Sequence, residues 1–576
     1  MHRKAFDIGL IALLTLLLTA CNRAQAPTAT AIPATPTTAA IAPTPQPPPT
    51  PTPQPAAALP PPAETDQAWW RDAIFYEVFV RSFYDSDGDG IGDFRGLTQK
   101  LDYLNDGDPA TTTDLGITGL WLMPIHPSPS YHGYDITDYY GINPQYGTMD
   151  DFRQFVAAAH ERGIHVIIDL VINHSSIQHP WFQKSLAGDP AYADWYVWSD
   201  DNPGFRGPWG QPVWHKASNG RFYYGIFWDQ MPDLNLSNPA VRDEIYNVIR
   251  FWLAEVGVDG FRLDAVRHYV EMGAVQENSP QTHAWLKDFG AFYRSLKPEA
   301  FTVGEAWTDT ANIIPYLDNE LDSAFEFDLA AKFITAAQGP IANSTLQYLQ
   351  FVMDSYPEGR YATFLTNHDQ DRVNSQLRDD ERAKLAAMML LTSPGIPFLY
   401  YGEEIGMTGV KPDEDIRRPM QWDSDTVKVG FSDIFPWRAP ASDWKERSVA
   451  LQQNDPASLL NHYRTLLQLR ASHAALRTGA TAIIDPGTPR LFSLLRYDKD
   501  EAFLVLVNVH PRPLTADLYK LNLAAGPFRG PLNVEVILGP ANPAAFTATP
   551  AGGFADYVPY VEIPAASSVV LRLTQP

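Results

Sequence analysis

Gly260-Phe261-Arg262-Leu263-Asp264-Ala265-Val266-Arg267-His268 sets two ions, Arg262 and Asp264, at alternate positions of an otherwise apolar stretch. In an extended chain residues i and i+2 share a face, so guanidinium and carboxylate point the same way. The run Val258–Leu263 belongs to a series of short β-rich apolar runs: Ile74–Val80, Ile117–Met123, His165–Leu170, Phe301–Val303, Tyr361–Leu365 and Ile396–Tyr401. An eighth falls around Ala324–Phe327, and helical periodicity lies between many of them, as in Asp151–Arg162 and Pro239–Val256. Near-continuous apolar strands between helices imply a parallel sheet buried on both faces. Eight of them predict an α/β fold of the (β/α)8 TIM barrel type rather than an open sheet.

Working outward, the barrel is assigned to residues 67–174 and 236–474. Between Leu170 and Pro239 lie roughly sixty residues rich in Trp, Tyr, Gly and Asp, too many for a structureless loop. Residues 175–235 are therefore expected to form an inserted small domain B. Beyond the helical stretch Leu459–His473 come short strands, Leu491–Tyr497, Phe503–Val509, Asn533–Leu538 and Ser568–Leu573, between Pro/Gly turns. That pattern predicts a C-terminal antiparallel β-sandwich over residues 475–576.

The first residues are of another kind. His2, Arg3 and Lys4 precede an apolar stretch, Ile8–Ala20, too short to span a bilayer and ordered like an export signal. Leu18-Thr19-Ala20-Cys21 resembles a bacterial lipobox, which implies removal of residues 1–20 and lipid on Cys21. A lipid anchor outside the cytoplasmic membrane is the expectation. Residues 21–66 then form a linker; from Ala26 to Ala63 it is almost entirely Pro, Thr, Ala and Gln without charge, which favours an extended spacer.

Among 576 residues, 43 are Lys or Arg and 67 are Asp or Glu, for a net charge of −24. That balance argues against nucleic acid and anionic lipid surfaces as partners and suits a neutral substrate. Cys21 is the only cysteine, which excludes internal disulfides and Cys-based zinc sites.

The chemistry sits where the apolar runs end. Asp169 lies in Ile168-Asp169-Leu170-Val171-Ile172-Asn173-His174, Glu305 in Val303-Gly304-Glu305-Ala306-Trp307, and His368 and Asp369 in Phe364-Leu365-Thr366-Asn367-His368-Asp369-Gln370. All map to the C-terminal rim of the barrel, where catalytic groups of this fold gather. One acid after a strand is commonly a helix cap; Asp264, Glu305 and Asp369 together, with Asp169, an arginine and two histidines on the same rim, form a constellation.

These four segments resemble the four signature regions of the α-amylase family of glycoside hydrolases, and the resemblance runs from about Trp69 to the C-terminus. It implies that Asp264 is the nucleophile, Glu305 the general acid/base and Asp369 the third carboxylate, which holds the distorted sugar. It pairs His174 and His368 with sugar hydroxyls. Tyr131-His132-Gly133-Tyr134-Asp135 resembles the segment whose tyrosine stacks on the reacting glucose, which implies Tyr134 with Asp135 beside it. Asp413 and Arg417 resemble the Asp/Arg pair near the non-reducing side. The roles are physically coherent: retention needs two carboxyl groups about 5–5.5 Å apart. Arg262 can keep Asp264 ionised, and Glu305 needs surroundings that raise its pKa.

Asp85-Ser86-Asp87-Gly88-Asp89-Gly90-Ile91-Gly92-Asp93 alternates carboxylates with small residues, as a hard, flexibly coordinated cation requires. Asp85, Asp87, Asp89, the Ile91 carbonyl and Asp93 are the expected ligands of a structural Ca2+. Gly96 stands where an EF-hand needs Glu, and the loop instead resembles one after the first barrel strand in several family members. The family's second site is indicated by Asn173 and the His268 carbonyl.

Specificity markers are mixed. Met231-Pro232-Asp233-Leu234-Asn235 resembles the family's fifth region in a form between oligo-1,6-glucosidases and neopullulanases. Arg267-His268 resembles enzymes cutting within starch chains, whereas Asp135 and Pro419–Trp422 resemble exo-acting α-glucosidases. The insertion's aromatics, Trp195, Trp198, Trp209, Trp214, Phe222, Tyr223, Tyr224 and Trp228, divide between a small core and sugar platforms. The expectation is a retaining α-amylase acting on internal α-1,4 bonds of starch and maltooligosaccharides, with transglycosylation. The alternatives are an exo-α-glucosidase or oligo-1,6-glucosidase, and a cyclomaltodextrinase or neopullulanase. An inactive sugar-binding or transport-accessory protein is disfavoured because all three carboxylates stand. A monomer is expected, because no separate small domain precedes the barrel.

Overall fold

The computed structural model describes residues 68–576; the expected signal, Cys21 and the linker to residue 66 lie outside them. Eight strands form a closed barrel: β1 (Phe75–Val78), β2 (Gly119–Leu122), β3 (His165–Leu170), β4 (Gly260–Leu263), β5 (Phe301–Gly304), β6 (Ser323–Phe325), β7 (Tyr361–Thr363) and β8 (Ile396–Tyr400). Each pairs in parallel with the next, and β8 returns to β1 with Phe75 beside Phe398. The TIM barrel expected from the apolar runs is present. Most strands are shorter than their runs, because the run continues into buried turn residues. The sixth begins one residue early, and Phe327 opens a helix, Phe327–Gln338, instead of ending the strand.

Alternation divides each strand between two cores. Inward residues Phe75, Ile167, Phe301 and Phe398 fill the barrel, with Phe75 stacked on Phe398 at 4.4 Å and on Phe301 at 5.3 Å. Outward residues such as Tyr76, Val78, Leu120 and Leu122 pack under the helices. Each large apolar side chain so buried stabilises the fold by roughly 1.5–3 kcal/mol. The helices begin on strong caps: Thr148 and Asp151 form a reciprocal capping box at Met149–Glu161. Asn238 and Pro239 open Pro239–Arg250. That helix was expected to reach Val256; instead Phe251–Val256 is a π-helical turn, ended by Gly257 in the left-handed conformation at φ 95°.

Between β3 and this helix the chain forms a three-stranded antiparallel sheet with Phe222–Tyr224 between Trp198–Ser199 and Trp214–Lys216. Val213, Tyr224 and Ile226 make its small core. A backbone bridge from His174 to Asp233 fastens this insertion beside the barrel rim, and one from Tyr196 to Leu234 joins its two ends. After the helix Leu459–Ser472, six antiparallel strands form a sheet ordered Ala480–Ile483, Leu491–Tyr497, Glu501–Asn508, Ser567–Thr574, Gly530–Leu538, Phe546–Ala548. Two short ladders, Leu514–Thr515 with Glu562–Ile563 and Leu521–Ala525 with Gly552–Tyr557, share its core. Arg496 joins this domain to the barrel by donating to the Thr392 carbonyl at 3.0 Å.

Candidate active site

Arg262 is buried on β4, where no water solvates it, so its charge must be met by carboxylates. Its Nη1 donates to Asp169 Oδ1 at 2.8 Å and to Asp264 Oδ1 at 2.7 Å, and its Nη2 lies 2.8 Å from Glu305 Oε2. Three neighbouring strands thus end on one guanidinium: Asp169 on β3, Asp264 after β4, Glu305 after β5. Directly after Asp264 the chain turns through Ala265, a non-glycine residue at φ 49°, and its N–H donates to Glu305 Oε2 at 3.1 Å. Burial pushes the Glu305 carboxyl up to about 7; Arg262 opposes the rise, and Asp264 and Asp369 add to it. Asp169 is likewise raised by burial and pulled back by Arg262.

A second set meets the first. Arg417 Nη2 donates to Asp369 Oδ1 at 2.8 Å and to Asp413 Oδ2 at 3.2 Å, and Arg417 Nε donates to the His368 carbonyl at 2.9 Å. His368 Nε2 lies 3.2 Å from Asp369 Oδ2, and Nδ1 pairs with Glu77 on β1. Burial disfavours the imidazolium, but Asp369 and Glu77 outweigh it and hold the pKa at about 9. Burial also opposes ionisation of Asp369, yet His368 and Arg417 keep its carboxyl well below the usual range. Tyr134 stacks on His368 at 5.6 Å, and its hydroxyl donates to Asp169 at 3.0 Å, tying the two sets together.

Asp264, Glu305, Asp369, Tyr134, His174, Asp413 and Arg417 line one cleft of about 420 Å³, with Arg262 and His368 buried among them. His174 is buried in the cleft wall, and burial lowers its pKa against the opposing charge of Asp264, which favours a neutral imidazole. Asp135 requires a correction. It is only 2% exposed and accepts from the Ser128 and Ser130 hydroxyls, away from the cleft. Ser128 and Ser130 hold Asp135 back, so Tyr134 reaches the cleft while Asp135 only backs His132 of its wall, at 4.0 Å. Arg418, next to Arg417, also turns away, to Asp415 at 2.7 Å.

Several site residues are not among the expected catalytic or substrate-binding groups, although Asp169, Arg267, Met231 and Trp209 are noted in the sequence. Glu77 is hidden within the run Ile74–Val80; its signal is a lone acid in a buried strand, which demands a partner. Asp169 stands opposite Arg262 in the β3/β4 register. Arg267, Phe227, Met231, Trp209 and Trp307 complete the cleft walls.

The oxygens of Asp85, Asp87 and Asp89 lie within 4.8 Å of one another. Burial and the charges of Asp87 and Asp85 raise the Asp89 carboxyl, a repulsion that a divalent cation relieves. Asp93 caps the helix Phe94–Gln99 through Gly96 and accepts from Ser86, while the Ile91 N–H donates to Asp89. This hard-oxygen set fits calcium. Beside the insertion the side chains of Asn173, Asp233 and Glu271 come together out of contact with water, with Asp233 interacting with both of the others. The Leu234 N–H donates to the Asn173 carbonyl, which sets Asp233 beside Asn173, and burial raises the Asp233 and Glu271 carboxyls. Buried oxygens of this kind, two of them on carboxyls that repel each other, have the chemistry a hard cation takes. The His268 imidazole bonds the Gln276 carbonyl at 2.8 Å.

Residues 77–479 match the family description "Alpha amylase, catalytic domain". Alpha-amylase 3 of Dictyoglomus thermophilum is 41% identical over 453 residues, covering 77% of this chain and 86% of its own. Oligo-1,6-glucosidase of Parageobacillus thermoglucosidasius is 32% identical over 528 residues, covering 77% and 91%. The crystal structure of alpha-amylase from H. orenii aligns with a TM-score of 0.74 at 40% identity, covering 87% of this chain and 99% of that one. With its closed barrel, its rim of carboxylates and these relatives, the chain belongs to the α-amylase family of glycoside hydrolases.

Proposed function

We propose that this protein is a retaining α-amylase that hydrolyses internal α-1,4-glucosidic bonds of starch and maltooligosaccharides. One observation carries the reading: Asp264 and Glu305 sit at the two ends of the Arg262 guanidinium. Two carboxyls held by one planar cation suit the separation of about 5–5.5 Å that double displacement uses, not the wider gap of inverting enzymes. Asp264 attacks C1 of the sugar while Glu305 gives its proton to the glycosidic oxygen; the C1–O bond breaks and a C1–Asp264 ester forms. Water then yields a proton to Glu305 and attacks C1, freeing Asp264. A second sugar hydroxyl in place of water gives transglycosylation.

The remaining groups suit that chemistry. Asp369, kept ionised by Arg417 and His368, accepts hydroxyls of the distorted sugar, and Tyr134 stacks on the same ring. Arg267, His268, Trp209 and Phe227 extend the wall beyond Asp264, which supports binding along a chain rather than at its end. A calcium ion would be held by Asp85, Asp87 and Asp89, with the Ile91 carbonyl and Asp93 beside them, and would supply a structural clip in the loop after β1. Product sizing during starch digestion tests the reading. Mixed maltooligosaccharides in the first minutes are expected; glucose alone from the start overturns endo attack.

A further inference from the structure

The cleft has two unlike walls. Asp413, Arg417, Asp369, His368 and Tyr134 form one hydrogen-bonded polar set, which encloses the reacting sugar in the reading above. On the other flank the insertion supplies rings: Phe227 meets His174 at 5.4 Å, Trp209 at 5.7 Å and His268 at 5.6 Å. His268 stands four residues after Asp264, and both line the same cleft as Trp209 and Phe227, so this second set adjoins the nucleophile of the proposed reaction.

Trp209 is the outermost of these rings. It is 56% exposed, whereas Trp195 of the same insertion is buried. Water contact over so large an apolar surface is unfavourable, and here the backbone is built to maintain it. Trp209 sits on a tight turn in which the Gly207 N–H donates to the Gln211 carbonyl and the Gly210 N–H to the Gly207 carbonyl, both at 2.9 Å. The Trp209 N–H donates to Gln211 Oε1 at 3.0 Å, and Gln211 Nε2 donates onward to the Ile226 carbonyl at 2.9 Å. Arg206 Nη1 closes the turn on the Gly210 carbonyl at 2.8 Å. A Cβ at Gly207 would meet Gln211 Nε2 at 2.1 Å, so a side chain there would push aside the amide that holds the Trp209 N–H. An apolar ring held rigidly at a cleft mouth is pre-organised to stack on a sugar face.

We propose that Trp209, backed by Phe227, is the stacking platform for glucosyl units on the leaving-group side of the cleft and sets a preference for long α-glucan chains. The proposal rests on the glucan-hydrolase reading, and its test is binding rather than turnover. In an Asp264→Asn chain, calorimetry with maltoheptaose should show Trp209→Ala raising Kd by about tenfold, while Trp209→Phe stays within about threefold. The loss with maltose should be several-fold smaller, since two sugar units are held by the polar wall. An unchanged Kd for maltoheptaose, an equal loss with maltose, or no binding of maltoheptaose overturns the platform. Failure of the two readings is distinguishable. Glucose as the only starch product removes endo attack but leaves a Trp209-dependent Kd standing; mixed products with an unchanged Kd remove the platform alone.

Discussion

On β1 two residues separate the floor of the barrel from its rim. Phe75 stacks on Phe398 at 4.4 Å, and Glu77, the next inward side chain, holds His368. The same change runs up β3 from Ile167 to Asp169, and up β5 from Phe301 through Val303 to Glu305. At a rise of about 3.3 Å per residue, aromatic packing gives way to ions within about 7 Å along a strand. The floor therefore acts on the rim: it removes water from beneath, which strengthens every ion pair above it and makes every unpaired charge costly. Glu305 keeps a proton to about pH 7 for that reason, while Asp369, with two cations beside it, does not.

The contrast breaks most severely at Arg262. Arg262→Met leaves three carboxyls over a dry floor without their shared cation. Starch hydrolysis should be undetectable and urea unfolding should show a loss of about 3–5 kcal/mol. A stable, active variant would remove the guanidinium as organiser of the rim. A smaller effect concerns pH. In the proposed reaction Glu305 must be protonated to act as acid, and its folded pKa lies above its ordinary value, so the proton is retained to about 7 and lost above it. Above that pH kcat/KM should fall by about tenfold per unit, and Glu305→Gln should flatten this limb along with its large loss of rate. A wild-type profile with no alkaline limb near 7 would show that the floor does not tune this acid. The smallest effect lies in the loop after β1: EDTA should lower the melting temperature by roughly 2–5 °C without moving the pH limb. An unchanged melting temperature counts against a cation at Asp85, Asp87 and Asp89.

Legibility followed the same division. The floor and its strands were readable because burial on both faces demands apolar runs: His165–Leu170 and Leu491–Tyr497 appear residue for residue. The rim was readable where an ion interrupts such a run at its end, as with Asp264, Glu305 and Asp369. Glu77 was not, because six neighbours in Ile74–Val80 read as core and nothing local names its partner 291 residues away. Asp135 misled because adjacency to Tyr134 in the chain does not fix where a loop side chain turns, and Ser128 and Ser130 claim it. The aromatic residues of the insertion were equally ambiguous: Trp195 and Trp209 differ in burial, not in local pattern.

By itself the chain's pattern determined the barrel, the order of its strands and which of their ends carry ions, because side-chain alternation and apolar runs are set by backbone geometry over a few residues. Tertiary structure alone decided that one guanidinium serves three carboxyls, that Glu305 holds its proton and that Trp209 stays in water. Those outcomes depend on desolvation and on distances between segments far apart in the chain, which no local period encodes.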